Sequence, residues 1–234
     1  MDSGGDVGRI TSVGQPPTER EPSAPTALAA GLEVTFVFAG ILLYIWRWQH
    51  TWPHVWLALW AVVLASQALR HDTLKNLGLL GPGLRPSAQI ILPLALLLYV
   101  PLLVYGLWHH RLGLLRPGWN SFLLFAGYGI WCLIQQYLAQ SYFHNRLMLA
   151  IRNRHVTSAL IAIMFSAAHI PNPILTVATF VAGFAFAEAF ARYRNIYPLA
   201  LAQAVGGLLL AAVSPETLIH HMRVGPGYLF YGLR

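Results

Sequence analysis

The chain has 234 residues, 56% of them hydrophobic and only 10% charged, against roughly 25% charged for an ordinary soluble domain. That balance excludes a large soluble core and predicts a polytopic membrane protein. The net charge of +7 is spread over polar breaks, with no basic run interleaved with aromatics, so it argues against a nucleic-acid partner and suits loops facing anionic lipid. The single cysteine, Cys132, excludes an intrachain disulfide framework and reads as an inert thiol inside an apolar segment.

Residues 1–25 are Gly, Ser, Pro, Thr and charge without periodicity, a composition expected to be disordered, and they lack the apolar core of a signal peptide. Thr26 to Trp46 is the first span, long enough for a ~30 Å hydrocarbon core, and Trp52 to Leu69 is the second. Trp46, Trp48, Trp52 and Trp56 flank the turn between them as an interfacial aromatic belt. A polar Gly- and Pro-containing loop, Arg70 to Arg85, breaks any helix. Ser87 to Trp108 and Trp119 to about Phe143 are the third and fourth spans. Val156 to His169 is a short fifth helix stopped by Pro171 and Pro173. Ile174 to Phe190 and Ile196 to Val213 complete the set, and Ser214 to Arg234 is a C-terminal tail. The expected fold is an all-α transmembrane bundle of about seven or eight helices, residues 26–213, with no internal repeat. Ten of the lysines and arginines fall on the N-terminal side of the spans and five on the other, which predicts a cytoplasmic N-terminus.

The polar residues that matter lie between Trp131 and His169. Gln136 and Gln140 are one helical turn apart on the fourth span, His144 continues their face, and Gln135 points partly sideways. Polar groups inside a membrane must find partners or water and mark functional sites by default; interhelical glue is the plainer reading. His169 ends the fifth helix among Ser166, Ala167 and Ala168, small residues that let another helix approach. Asn172 follows in a Pro-flanked break, which suits the edge of a cavity.

This pattern resembles the CAAX prenyl endopeptidase and bacteriocin-processing (CPBP) family of intramembrane proteases. That family carries Glu-Glu-x-x-x-Arg on one span, Phe-x-x-x-His on a later one and His-x-x-x-Asn after that. Gln135-Gln136-x-x-x-Gln140 stands where the first motif belongs, and Phe165 and His169 match the second in full. The segment Arg194 to Gly207 stands where the third belongs, with Gln203 for its histidine and Gly207 for its asparagine. The phrase Leu74 to Leu79 is similar to an upstream segment of the family. The resemblance covers about Leu74 to Ala212. It implies an endopeptidase acting on a membrane-associated or lipidated substrate, and the expected location of the chain is the bacterial inner membrane. A glutamate would activate water, and histidines and an asparagine would stabilise the oxyanion. Mapped here, His169 would serve the oxyanion, Gln136 and Asn172 would orient water, and Gln203 would assist.

The departures bear on that chemistry. A glutamine amide is not basic near neutral pH and cannot take a proton from water as a carboxylate does, although it can still donate to an oxyanion. Glu188, in the sixth span, reads either as a helix pair with Arg192 or as a carboxylate facing His169; Glu33 is a second such candidate. No cofactor is expected. A metal held by His144, His169 and Glu188 is the exception to test, since His and Glu can bind Zn or Fe. Two alternatives to proteolysis stand beside the first reading. One is a non-catalytic relative that binds a lipid tail or a partner's membrane segment. The other is an enzyme, metal-dependent or not, acting on an apolar small molecule.

Overall fold

The computed structural model describes residues 24–115 and 118–232. The N-terminal segment expected to be disordered lies, up to residue 23, outside the described residues. Among the described residues, seven long helices carry the fold: α1 (Ala24–Leu43), α2 (Val55–Leu69), α3 (Leu84–Trp108), α4 (Trp119–Gln136), α5 (Arg154–Ala167), α6 (Pro173–Tyr193) and α7 (Tyr197–Val213). A π-helical stretch, Tyr44–Trp48, prolongs α1 as far as Thr51, and another, Tyr137–His144, prolongs α4 into Asn145–Ile151. Thr26–Thr51, Leu84–Trp108, Phe122–Ile151 and Pro173–Tyr193 are long and apolar enough to cross a membrane, and the other three helices are shorter apolar ones. The protein is an integral membrane protein and an all-α bundle.

Local chemistry sets the helix ends. Arg152 turns left-handed after α4, and the Asn153 side chain accepts hydrogen bonds from the amides of His155 and Val156 to cap α5. Asn172 caps α6 in the same way, accepting from Leu175, with Pro173 at the first helical position, where a missing N–H costs nothing. At fourteen residues, α5 is about 21 Å long, short of a ~30 Å hydrocarbon core. Its irregular end therefore has to be enclosed by protein or line a cavity.

α5 and α6 form an antiparallel hairpin, α7 packs against α3 and α4, and α1 packs on the Asn145–Ile151 end of α4. α2 leans on α1. Two apolar clusters fill the bundle, one around Val37, Val63, Tyr142, Phe143 and Ile161, the other around Ile91, Phe186, Phe190, Ile196 and Leu199.

The basic end of the bundle is tied by charge. Arg146 is 1% exposed, and its guanidinium reaches Glu33 at 3.1 Å and Asp72 at 2.8 Å. Glu33 also accepts from Arg70 at 3.0 Å, from the Tyr142 hydroxyl at 2.8 Å and from Ser66. The Asp72–Leu79 loop is stitched down over this end. Ser141 donates to the Leu77 carbonyl, Asn145 to the Asn76 carbonyl at 3.0 Å, and the Ile196 amide to the Gly78 carbonyl at 3.2 Å. Gly78 has φ +72°, and a β-carbon there would lie 2.6 Å from the Phe190 ring, so both conformation and space require glycine.

The last residues are more than a tail. Residues 214–232 turn back across the end of the bundle opposite Arg146. There the Gly225 amide donates to the Ile170 carbonyl at 2.9 Å, and Asn172 donates to the carbonyls of Ile219 and Arg223 at 2.8 and 3.1 Å.

Arg146→Met strands Glu33 and Asp72 with fewer partners. Breaking a buried pair costs about 3–5 kcal/mol, so the variant is expected to lose most of its thermal stability in detergent, read as a lowered unfolding midpoint. Arg192→Met, on an exposed position, should leave the midpoint near wild type.

Candidate functional site

The four glutamines meet. Gln140 donates through Nε2 to Gln136 Oε1 at 3.2 Å, Gln136 Nε2 donates to Gln203 Oε1 at 2.7 Å, and Gln203 Nε2 donates to Gln135 Oε1. The first step is the one-turn spacing on α4, and the other two cross to α7. Gln136 and Gln140 are wholly buried, while Gln135 and Gln203 open onto a cavity. The chain pairs Gln136 at both ends of its amide, while the buried Gln140 Oε1 is left without a hydrogen-bond partner.

That cavity has a volume of about 1750 Å³, above the ~300–1,000 Å³ of ordinary small-molecule pockets. Its walls come from every long helix and from the returning C-terminal strap. They are aromatic and aliphatic almost throughout. Val37, Val63 and Ile91 close the deep end, and Ile45, Trp56, Leu102, Met222 and Phe230 frame the end under the strap. Leu97 and Leu98 of α3 line it while remaining 72% and 55% exposed, so the cavity opens sideways beside α3 towards lipid. The polar groups are few: His169, Gln135, Gln203, Tyr99, Tyr128 and Thr179 on the inner walls, and Tyr44, Gln49, His50 and Arg223 near the strap.

His169 sits in the turn after α5. Its Nδ1 is 2.7 Å from the Phe165 carbonyl, an acceptor, so Nδ1 carries the proton and donates, leaving Nε2 with a lone pair. The ring stands edge-on to Phe165, centroids 5.0 Å apart at 86°. The Phe-x-x-x-His spacing thus orients the imidazole twice, through the carbonyl and through the ring. His169 lines the same cavity as Gln135 and Gln203.

Other candidates lie elsewhere. Glu188 is bound by His155 at 2.9 Å and Arg154 at 3.5 Å, not by Arg192. His155 is fourteen residues from His169, about 21 Å along the helix, so Glu188 does not face His169. Glu33 is held by Arg146 and Arg70 at that same far end. His144 is buried against the Phe190 ring, 5.4 Å between centroids, with neither nitrogen hydrogen-bonded. The set His144, His169 and Glu188 is therefore not assembled, and among the described residues no three His, Cys, Asp or Glu side chains converge on a point that would hold a metal. Asn172 spends its oxygen on the α6 cap and its amide on two strap carbonyls, so it shapes the cavity roof rather than presenting a free group. The returning strap and Tyr99 were not anticipated. Tyr128 had a signal: it lies seven residues before Gln135, two turns along one face.

A polar site walled into an apolar cavity by helices long and apolar enough to cross a membrane defines an integral membrane protein with an intramembrane cavity. Residues 132–209 match the model of a family described as type II CAAX prenyl endopeptidase Rce1-like. The match runs from α4 to α7 and contains Gln135, Gln136, Gln140, Phe165, His169, Gln203 and Gly207. These residues are similar to that family, in agreement with the CPBP resemblance, and the chain around them is an integral membrane protein. Neither a search of curated proteins nor one of solved structures finds a match.

Gln203→Leu removes the α7 link and leaves the Gln136 donor and the Gln135 acceptor without partners. The expected loss is about 1–3 kcal/mol per stranded group, read as a lower unfolding midpoint. Asn172→Ala removes a helix cap, worth about 1 kcal/mol, together with both strap bonds. Limited proteolysis should then cut the 214–232 segment faster than in wild type, with the helices still intact.

Proposed function

We propose that the cavity binds a membrane-embedded, lipid-modified or otherwise apolar ligand, and that it does so without carboxylate-driven hydrolysis. The observation that carries this reading is the location of the acids. Glu33, Asp72, Glu188 and Glu216 are the acidic residues among those described. The first two are bound to Arg146, the third to Arg154 and His155, and Glu216 to His221. The positions matching the glutamate motif hold amides already bonded to one another. A base that removes a proton from water must lie within hydrogen-bond reach of it, and no carboxylate among the described residues lines this cavity. The apolar walls and the opening beside α3 suit a hydrocarbon chain entering from the bilayer.

The second reading, an endopeptidase with an altered motif, is favoured by the orientation of His169. With Nδ1 donating to Phe165, Nε2 would accept a proton from water. The resulting hydroxide would attack a substrate carbonyl, and the free N–H groups of Gln135 would donate to the oxyanion. The proton on Nε2 would then pass to the departing amine. We also propose that the Arg146 end faces the cytoplasm of a bacterial inner membrane, a reading supported by the ten-to-five distribution of lysine and arginine.

A prenylated CAAX peptide offered to the purified full-length protein in lipid nanodiscs separates the two. The binding reading expects saturable retention of the intact peptide by wild type and no cleaved product. It also expects Gln136→Glu with Gln140→Arg to bring measurable cleavage that is lost again on His169→Ala. Cleavage by wild type that disappears in His169→Ala would replace the first reading with the second. Absence of saturable binding would remove both.

A further inference from the structure

Gly207 stands where the family's third motif has an asparagine, and something else fills the space. A β-carbon built on Gly207 would lie 2.2 Å from the Tyr128 hydroxyl oxygen and 2.9 Å from two of its ring carbons. Residue 207 therefore cannot carry a side chain while Tyr128 stays in place. Gly207 lies one turn beyond Gln203 on α7, and Tyr128 lies two turns before Gln135 on α4. The seam between the two helices thus holds two successive polar levels, Gln135 with Gln203 and then Tyr128 over Gly207. All four residues line the cavity.

Of the tyrosines lining the cavity, Tyr99 and Tyr128 stand against α7 at Gly206 and Gly207, and the partners of their hydroxyls differ. Tyr99 donates to the Ala202 carbonyl, a strong acceptor, and is spent. The Tyr128 hydroxyl has the Cys132 thiol beside it, one turn along α4, and a thiol is a weak acceptor. A carbonyl oxygen entering the cavity offers that hydroxyl a better partner than sulfur, in apolar surroundings where hydrogen bonds are electrostatically stronger than in water.

We propose that Tyr128 is a ligand-binding residue of this cavity, its hydroxyl donating to a carbonyl oxygen of the bound molecule. The ligand class is then a hydrocarbon chain that carries an amide or ester, not a bare hydrocarbon. The inference rests on the reading that the cavity takes an apolar ligand, and it adds which polar group that ligand presents. Gly207 acts by leaving room for the phenol, so the pair together supplies one donor at the α4–α7 seam.

The test compares two probes by equilibrium dialysis against the full-length protein in detergent: N-acetyl-S-farnesyl-cysteine methyl ester, and methyl farnesyl thioether, which keeps the chain and lacks carbonyls. Wild type is expected to prefer the carbonyl-bearing probe by roughly fivefold, the scale of one net hydrogen bond. Tyr128→Phe keeps the ring and should abolish that preference. Gly207→Ala keeps the hydroxyl but displaces it, and should do the same. Tyr128→Ala combined with Gly207→Asn replaces the phenol by an amide donor and should restore part of the preference. Thermal midpoints of all variants in the same detergent show which ones are folded. A preference that persists in folded Tyr128→Phe, or its absence from wild type when both probes bind, overturns the proposal and leaves the cavity reading standing. Failure of both probes to bind wild type overturns the two together.

Discussion

Arg146 holds the bundle together at one end. It joins Glu33 of α1, Asp72 of the loop after α2 and Ser66 of α2 to the end of α4, so four segments depend on one buried guanidinium. A planar cation with five donors suits that job, because it satisfies several acceptors at once in fixed directions. α1 and α2 contribute walls to the cavity, and α2 has its main contacts with α1. The shape of the cavity therefore depends on an ion cluster at the far end of the helices from His169.

Halfway across the bundle the chain uses a different device. Desolvating an ion pair deep in a low-dielectric interior costs several kcal/mol per ion before any attraction is recovered, whereas linked amides carry no net charge and each offers both donor and acceptor. Gln140, Gln136, Gln203 and Gln135 form such a chain and join α4 to α7 where the CPBP motifs place charge. Linked amides are not basic near neutral pH, so the chain that joins the two helices holds no group that takes a proton from water as a carboxylate does.

His169 is arranged differently from the glutamines. Its Nδ1 is committed to Phe165 and its Nε2 is left for the cavity. The strap formed by residues 214–232 covers the same end, held by Asn172, which also caps the helix that follows His169. One buried asparagine therefore couples the start of α6, the turn carrying His169 and the roof of the cavity, and a change at the roof reaches the histidine turn through the shared backbone.

The spans were legible in the sequence because apolar runs of fixed length, broken by Pro, Gly and charge, are a local property. The one-turn steps from Gln136 to Gln140 and from Phe165 to His169 were legible for the same reason: helical periodicity fixes which side chains share a face. The motif order then pointed to Gln203 on a separate helix. What the sequence left open was every pairing between helices. Glu188 had Arg192 one turn away and instead took Arg154 and His155. Glu33 reached Arg146, 113 residues on. Asn172, read as a water-orienting residue, spends its polar atoms on a helix cap and on strap carbonyls. Such partners are decided by how helices cross and by which loops return over them, and no periodicity within one helix carries that information. The sequence alone determined a membrane bundle with a family-like polar frame. Only the tertiary structure decided that the frame is joined across two helices as a chain of amides, that the carboxylates lie apart from His169, and that a phenol occupies the space left by Gly207.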